Sequence, residues 1–81
     1  MADIQVGLAI RNIRINKGLT QRQVADSMGC ARTYVIKIEK DQHMPLMEQF
    51  VRFSDALDVD PGELLSYARR LQREAEDSTM L

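Results

Sequence analysis

Residues 21–40 leave this chain few ways to fold. Thr20 precedes a short helical pattern, and its hydroxyl can accept a hydrogen bond from the amide of Gln23 while the Gln23 side chain reaches back to Thr20. This reciprocal arrangement is a capping box. Gly29 ends the pattern at a position that favours a positive φ angle. Because a second helical pattern covers residues 32–40, the segment predicts two short helices joined by a tight turn.

The same segment has the residues that a close, steep helix crossing requires. Ala25 is small enough for the second helix to pass over it, and it shares an inward face with Val24 and Met28. Val35 and Ile38 lie one helical turn apart and can seal the second helix against the first. Together with the capping box and the glycine turn, these residues make the paired helices a specific prediction.

Three more helical segments flank this pair. Val6, Ile10 and Ile13 form one apolar stripe, which Gly18 ends in the position of a left-handed cap. A proline-containing loop follows at residues 41–45, since proline cannot continue a helix through it. After this loop a fourth helix is indicated by the pattern Met47, Phe50, Val51, Ser54 and Leu57.

The fifth helix has the clearest start signal in the chain. Asp60 can cap the helix, Pro61 takes the first helical position and Glu63 the third. The helical pattern continues to about Glu76, well past the first apolar pair, Leu64 and Leu65, which we assign to the core. Residues 77–81 have neither a cap nor a period, and we expect a frayed tail there.

Length and composition fit one small domain. Eighty-one residues suffice for a single core, so we predict a compact all-α domain of five helices over residues 1–76, with an extended last helix. No apolar run reaches the roughly 18 residues that a membrane-spanning helix needs. The N-terminus lacks the layout of a signal peptide, and the single cysteine cannot form an internal disulfide. We therefore expect a cytoplasmic protein with no membrane partner.

Charge is distributed unevenly along the chain. The net charge is −1, which by itself argues against a polyanionic partner. Residues 1–40, however, hold seven basic and three acidic residues, a net +4, whereas residues 41–81 hold four basic and nine acidic residues, a net −5. A chain of this kind can bind a polyanion if only its first half faces that partner.

Specific stretches across about residues 4–66 resemble the lambdoid phage repressor and Cro family of helix-turn-helix proteins. The resemblance implies a five-helix lambda-repressor-like DNA-binding domain with its motif at helices 2 and 3. Arg32-Thr33-Tyr34 is also similar to the start of the recognition helix in restriction–modification controller proteins. The matching stretches are Gly7-x-x-Ile10-Arg11-x-x-Arg14, Gly18-Leu19-Thr20-Gln21, Ala25-x-x-x-Gly29, Tyr34-Val35-x-x-Ile38-Glu39 and Ala56-Leu57-x-Val59-x-Pro61-x-Glu63-Leu64-Leu65.

Three positions depart from the family pattern. Ala31 stands where a serine or threonine usually caps the recognition helix, so that cap is absent. Asp41 replaces the customary glycine after the recognition helix, and Leu46 replaces a polar helix cap. We expect the fold to tolerate these changes. An acid at Asp41 would weaken DNA binding if it lay near a phosphate.

The resemblance also implies which residues read DNA. The family docks the outer face of the recognition helix in the major groove, and this face would carry Arg32, Thr33, Ile36 and Lys37. Arg32 can donate two hydrogen bonds to guanine O6 and N7, and Lys37 can reach a base or a phosphate. For Ile36, contact with a thymine methyl and simple exposure to solvent both remain open.

Other residues are expected at the DNA backbone. Gln21 lies in the first turn of the second helix, where family members bond a phosphate and brace the recognition helix. Lys40, Gln42 and His43 lie in the following loop and are placed to contact phosphates. Tyr34 can bond a phosphate through its hydroxyl or pack half-buried, and the sequence leaves both roles open.

Several residues are interpreted as structural. Arg14 and Glu39 resemble an ion pair between helices 1 and 3. Cys30 is read as a packed thiol, with a redox sensor as the less favoured alternative. His43 has no second histidine or cysteine nearby in sequence, so we expect no metal site. Since no nucleophile or acid–base constellation is visible either, we predict a protein that is not an enzyme and needs no cofactor.

The leading hypothesis is a transcriptional regulator that binds a pseudo-palindromic operator as a homodimer. Contact with RNA polymerase would add a second partner. The alternative is a protein-interaction module, such as an antitoxin or a coregulator, which the overall acidity of the chain keeps open. For the dimer contact we predict an apolar stripe along the last helix, with packing onto the same chain as the alternative; the stripe consists of Tyr67, Ala68, Leu71 and Ala75.

Overall fold

The computed structural model describes residues 4–79, and within them every regular element is an α-helix. The predicted all-α class and the five predicted helices are therefore confirmed. None of these helices is long and apolar enough to cross a membrane. The helices, in chain order, are α1 (Val6–Asn16), α2 (Gln21–Met28), α3 (Arg32–Glu39), α4 (Met47–Ala56) and α5 (Pro61–Thr79).

The start and the end of α2 follow from local sequence signals. The Gln23 amide donates to Thr20 Oγ1 at 3.0 Å, and the Thr20 amide donates to Gln23 Oε1 at 2.8 Å, so the predicted capping box is present. Gly29 ends the helix with φ +68°, a conformation that a side chain would penalise. The α2–α3 pair thus begins and turns where the sequence predicts.

The core lies between the α2–α3 pair and the other three helices. Val24, Ala25 and Met28 of α2 are buried against Val35 and Ile38 of α3, as predicted. The other buried apolar side chains come from α1, from α4 and the residue that ends it, and from α5: Val6, Ala9, Ile10, Phe50, Phe53, Leu57, Leu64 and Ala68.

The buried face of α4 contains only some of the residues in the predicted helical pattern. Phe53, which the predicted pattern omitted, is fully buried, whereas Met47 and Val51 are exposed. The buried side chains at Phe50, Phe53 and Ser54 follow the i, i+3, i+4 spacing of a helix that packs along one stripe. Met47 and Val51, which belong to the predicted pattern, are not part of this buried stripe.

The inward face of α5 corrects one expectation and bears on a second. Leu64 is buried as predicted, but its neighbour Leu65 is 46% exposed because adjacent helical residues point about 100° apart. Ala68 is 0% exposed within its own chain, and its carbonyl accepts a hydrogen bond from the Gln5 amide at 3.4 Å. Ala68 is therefore buried within its own chain, and its role in a dimer interface stays a prediction.

The ends of α5 are only partly as predicted. Asp60 Oδ2 accepts hydrogen bonds from the amides of Gly62 at 2.9 Å and Glu63 at 3.3 Å, which is the predicted cap. The helix then continues to Thr79 rather than ending near Glu76, because no glycine or proline follows to stop it. The frayed tail expected over residues 77–81 is thus helical as far as Thr79, and residues 80 and 81 lie outside the described residues.

Candidate nucleic-acid interface

Helix α3 has one buried face and one open face. Val35 and Ile38 are buried against α2 and the core, whereas Arg32, Thr33 and Lys37 are exposed. Ile36 is half-buried beside them. Neither Arg32 nor Lys37 forms an ion pair within residues 4–79. The open face therefore presents two free cationic groups, one hydroxyl and one apolar side chain to the solvent.

A buried ion pair fixes the C-terminal end of α3. Arg14 Nε donates to Glu39 Oε2 at 2.7 Å and Arg14 Nη2 donates to Glu39 Oε1 at 3.0 Å. The side chains are only 12% and 3% exposed, respectively. Such bidentate, charge-assisted pairs are geometrically specific. Glu39 therefore holds the end of α3 against α1.

The same ion pair reaches two further segments. Arg14 Nη1 donates to the Leu19 carbonyl at 2.9 Å, and Gln21 Nε2 donates to Glu39 Oε1 at 3.2 Å. The amide nitrogen of Gln21 is thus engaged inside the chain, where it joins the start of α2 to α3. Through this network, three other segments position α3: α1, the α1–α2 loop and the start of α2.

Tyr34 is packed and partly exposed at the same time. Its ring stacks on Phe53 with centroids 6.0 Å apart and meets the edge of His43 at 6.3 Å. Burial raises the pKa of the Tyr34 hydroxyl, and at the alkaline pH where the neighbouring Cys30 thiol is itself ionised, its negative charge raises this pKa further. The hydroxyl therefore stays protonated at neutral pH and is able to donate a hydrogen bond.

The loop after α3 exposes Lys40, Gln42 and His43. Asp41, between them, adopts a left-handed backbone with φ +56°, and its Oδ1 accepts a hydrogen bond from the Gly7 amide at 3.2 Å. This amide lies in the first turn of α1, which has no side-chain cap of its own. Asp41 therefore caps α1, and its carboxylate is engaged there.

The approach of this loop explains the glycine at position 7. A Cβ atom on Gly7 would lie 2.6 Å from Asp41 Oδ1 and would also collide with the carbonyl oxygen of Ile38. No residue other than glycine fits at this contact without a shift of the backbone. Gly7 thus allows the end of α3 to pack directly on the start of α1.

Two arginines that the sequence analysis did not single out also belong to this surface. Arg11 and Arg22 are exposed and line a shallow cleft together with Arg32, Gln21 and neighbouring residues at the start of α2. Neither of the two forms an ion pair in the described part of the chain. Arg22 could have been predicted from the sequence, since it is the second residue of α2, whose start the capping box had already indicated.

Cys30 and the acidic and histidine side chains were compared with the requirements of a redox or metal site over the described residues. Cys30 is half-buried against the core, and burial raises the pKa of its thiol, which disfavours the reactive thiolate. Within residues 4–79, no group of three or more histidine, cysteine, aspartate or glutamate side chains is placed to hold a metal ion.

Comparison with known proteins identifies the family. A helix-turn-helix family model matches residues 10–64, which include α2 and α3 entirely. This chain belongs to the Cro/C1-type helix-turn-helix family. The matched residues include the whole open face of α3.

Relatives of the chain are regulators of transcription. The transcriptional repressor RstR of the cryptic phage CTXphi of Vibrio cholerae is 39% identical over 61 residues, which cover 75% of this chain and 53% of the repressor. The chain thus spans about half the length of this curated relative. The family and this relative support a DNA-binding regulator of transcription.

Solved structures of two controller proteins share the fold. The restriction-modification controller protein C.AhdI from Aeromonas hydrophila is 33% identical, with a TM-score of 0.71 over 75% of this chain and 92% of the controller. The controller protein C.Esp1396I, solved as a tetramer in complex with its natural 35 base-pair operator, has a TM-score of 0.76 over 83% of this chain and 88% of that one. It is 24% identical, so this second similarity shows the fold alone.

Proposed function

We propose that this chain is a transcriptional regulator that binds a pseudo-palindromic operator in double-stranded DNA as a homodimer. The observation that supports the proposal most strongly is the open face of α3, where Arg32, Thr33 and Lys37 are exposed while the opposite face is buried. A helix presented in this way can enter the major groove, whose width admits one α-helix.

In this proposal the open face of α3 reads bases. Arg32 donates two hydrogen bonds to a guanine, Thr33 contacts a base through its hydroxyl or its methyl, and Lys37 reaches a base or a phosphate farther along the groove. Ile36 contacts a thymine methyl. The Arg14–Glu39 pair supports this role because it fixes the angle at which α3 leaves the body of the protein.

Backbone contacts surround the base contacts. The first amides of α2, whose dipole favours negative charge, receive one phosphate beside Gln21 and Arg22. Arg11 lines the same cleft. On the other side of α3, Tyr34 donates from its neutral hydroxyl, and the exposed loop contributes Lys40, Gln42 and His43. Such contacts position the protein and make binding depend on salt.

The proposal requires two copies of the chain. One recognition helix covers only a few base pairs, and two helices in successive major grooves read an inverted repeat. The controller C.Esp1396I, which shares the fold, was solved as an assembly on operator DNA. We also propose that the chain acts in the cytoplasm without catalysis or a cofactor. Its effect on transcription would follow from blocking RNA polymerase or contacting it.

Selection of bound duplexes from a random pool tests the proposal. Wild type, Arg32→Ala and the control Arg73→Ala, which changes an exposed arginine of α5, are compared at about 0.15 M salt, where screening is already substantial. We expect an inverted repeat for wild type and for Arg73→Ala. Arg32→Ala should lose the preference at one position of each half-site.

A different result would change the function assigned to the chain. Weak, salt-sensitive binding without any enriched sequence would contradict an operator reader, since sequence-specific proteins prefer their site by several kcal/mol. The chain would then be assigned to the class of protein-interaction modules, such as antitoxins or coregulators.

A further inference from the structure

The Asp41 side chain joins the loop after α3 to the start of α1. Its Oδ1 accepts a hydrogen bond from the Gly7 amide at 3.2 Å, although the two residues lie 34 positions apart. Gly7 is buried, and a Cβ atom there would collide with Asp41 Oδ1 and with the carbonyl oxygen of Ile38. Within residues 4–79, no other side-chain hydrogen bond ties residues 40–46 to another element. The Asp41–Gly7 contact is thus the polar link between this loop and α1.

We infer that Asp41 is a positioning residue for DNA binding, and that its contact with Gly7 holds residues 40–43 where Lys40 reaches a phosphate. The inference rests on the proposed function, which assigns this loop to the DNA backbone. An acid beside DNA would ordinarily weaken binding, because it repels the phosphates. Here the acid strengthens binding, because it fixes the loop that carries the basic side chain.

The start of α1 offsets the negative charge of Asp41. This helix has neither a side-chain cap nor an acidic residue in its first turn, so its first amides leave a partial positive charge there. Asp41 Oδ1 binds one of these amides, that of Gly7. A carboxylate at a helix N-terminus interacts favourably with the helix dipole. Less of the charge of Asp41 is therefore left to repel a phosphate.

The backbone turn that precedes this loop does not depend on the Asp41 side chain. Asp41 has φ +56°, its amide donates to the Ile38 carbonyl, and the Gln42 amide donates to the Lys37 carbonyl, both at 3.0 Å. These two hydrogen bonds are the left-handed ending of a helix known as the Schellman motif, which involves backbone groups alone. The side chain of Asp41 adds the link to α1. A substitution can therefore remove the link while the turn remains.

A fixed loop favours binding because the polar side chains that it carries are exposed. Lys40, Gln42 and His43 face the solvent, and Lys40 forms no ion pair within residues 4–79. The edge of His43 meets the Tyr34 ring at 6.3 Å, so the loop contacts α3 as well as α1. A loop that is held before binding loses less conformational entropy when it meets DNA. The Asp41–Gly7 contact thus lowers the cost of the phosphate contact by Lys40.

The test compares two substitutions that remove the same charge. Asp41→Asn keeps an oxygen that can accept from the Gly7 amide, whereas Asp41→Gly has no side chain to do so. Asparagine and glycine both tolerate a positive φ, so both variants keep the turn at the end of α3. Asn12→Ala is the stability control, since it removes a hydrogen bond of 3.0 Å to the Tyr67 hydroxyl on α5 and leaves the loop unchanged. Thermal unfolding checks that each variant is folded.

Amide exchange and DNA affinity are measured for wild type and the three variants, on the selected operator and on a random-sequence duplex over a range of salt concentrations. The Gly7 amide should exchange faster in Asp41→Gly than in wild type or Asp41→Asn. Losing one phosphate contact should lower the affinity of Asp41→Gly about fivefold at about 0.15 M salt and make the slope of log affinity against log salt shallower by about 0.9. Asp41→Asn should bind at least as tightly as wild type, and Asn12→Ala should bind equally to wild type.

Simple repulsion by Asp41 predicts a different pattern, in which Asp41→Gly and Asp41→Asn bind equally and both bind more tightly than wild type. That pattern would overturn the inference, as would an unchanged salt slope for Asp41→Gly or an equal loss of affinity in Asn12→Ala. Failure of the proposed function is distinguishable, because wild type would then select no sequence. A difference between Asp41→Gly and Asp41→Asn on the random duplex would in that case still support the role of Asp41 at the DNA backbone, since phosphate contacts do not depend on sequence.

Discussion

The two ends of α3 are built in opposite ways. At the N-terminal end, Ala31 makes no side-chain cap, and Arg32 and Thr33 are exposed. At the C-terminal end, Glu39 is buried in a bidentate pair with Arg14, and Asp41 reaches across to cap α1. The end proposed to enter DNA is thus left open, while the far end is fixed to three other segments. This difference shows that α3 is held in position by its C-terminal end.

The largest predicted effect comes from breaking the fixed end. Glu39→Ala removes the carboxylate that binds Arg14 and Gln21, and truncating one partner of a buried pair costs about 3–5 kcal/mol of unfolding free energy. Urea denaturation measures the loss. The matched control is Glu48→Ala, which breaks the exposed pair with Arg52 and should cost less than about 1 kcal/mol. Equal losses in the two variants would contradict a fixed C-terminal end.

The contact between α1 and α3 gives the next effect. Gly7→Ala places a methyl group against the Ile38 carbonyl and the Asp41 carboxylate, so the helices must shift. Overpacking of this kind costs about 1–3 kcal/mol. In Gly62→Ala, the added methyl meets only the Asp60 carboxylate, so the loss should be limited to a weakened cap on α5, about 1 kcal/mol. If thermal unfolding showed Gly62→Ala to be the more damaging change, the α1–α3 contact would not be as close as described.

The long-range cap of α1 should have a smaller effect. Asp41→Ala removes the acceptor for the Gly7 amide and leaves an alanine at a positive φ, which together should cost about 1–2 kcal/mol. Asp41→Asn should remain near wild type, since its amide oxygen can accept the same hydrogen bond and asparagine tolerates this backbone. Chemical denaturation of both variants measures the difference. An asparagine variant as unstable as the alanine variant would argue against a cap.

The smallest effect is a gain at the open end. Ala31→Ser supplies the missing cap of α3 and should raise the unfolding free energy by about 1 kcal/mol. Ala31→Gly, which adds no oxygen, is the control and should recover less of this gain. No difference in melting temperature between the serine and glycine variants would mean that the start of α3 has no free amide to satisfy.

Local signals made most of the fold predictable. The Thr20–Gln23 capping box, the turn at Gly29 and the Asp60 cap each join residues within a few positions, so the sequence displays both partners. The pattern that predicted α4 includes Met47 and Val51 and omits Phe53, because several apolar residues compete on that helix. Only packing against the core selects Phe53 instead.

Contacts between distant residues were harder to predict. Asp41 was singled out as an acid that would weaken DNA binding if it lay near a phosphate, yet it binds the amide of Gly7, 34 positions earlier. Nothing local in the sequence connects these two residues. Arg11 and Arg22 were not singled out because each looks like an ordinary exposed helix residue, and only the fold brings them beside Arg32. The burial of Ala68 within its own chain was likewise not visible in the sequence.

The most direct test of base reading by α3 asks whether the Arg32 side chain recognises one particular base pair. Once an operator is selected, the affinities of wild type, Arg32→Ala and Arg73→Ala are measured on it and on operators changed at single base pairs of each half-site. For wild type and Arg73→Ala, the change at the position read by Arg32 should cost about 1–3 kcal/mol. The same change should cost Arg32→Ala almost nothing. Equal costs for wild type and Arg32→Ala at every position would contradict the account.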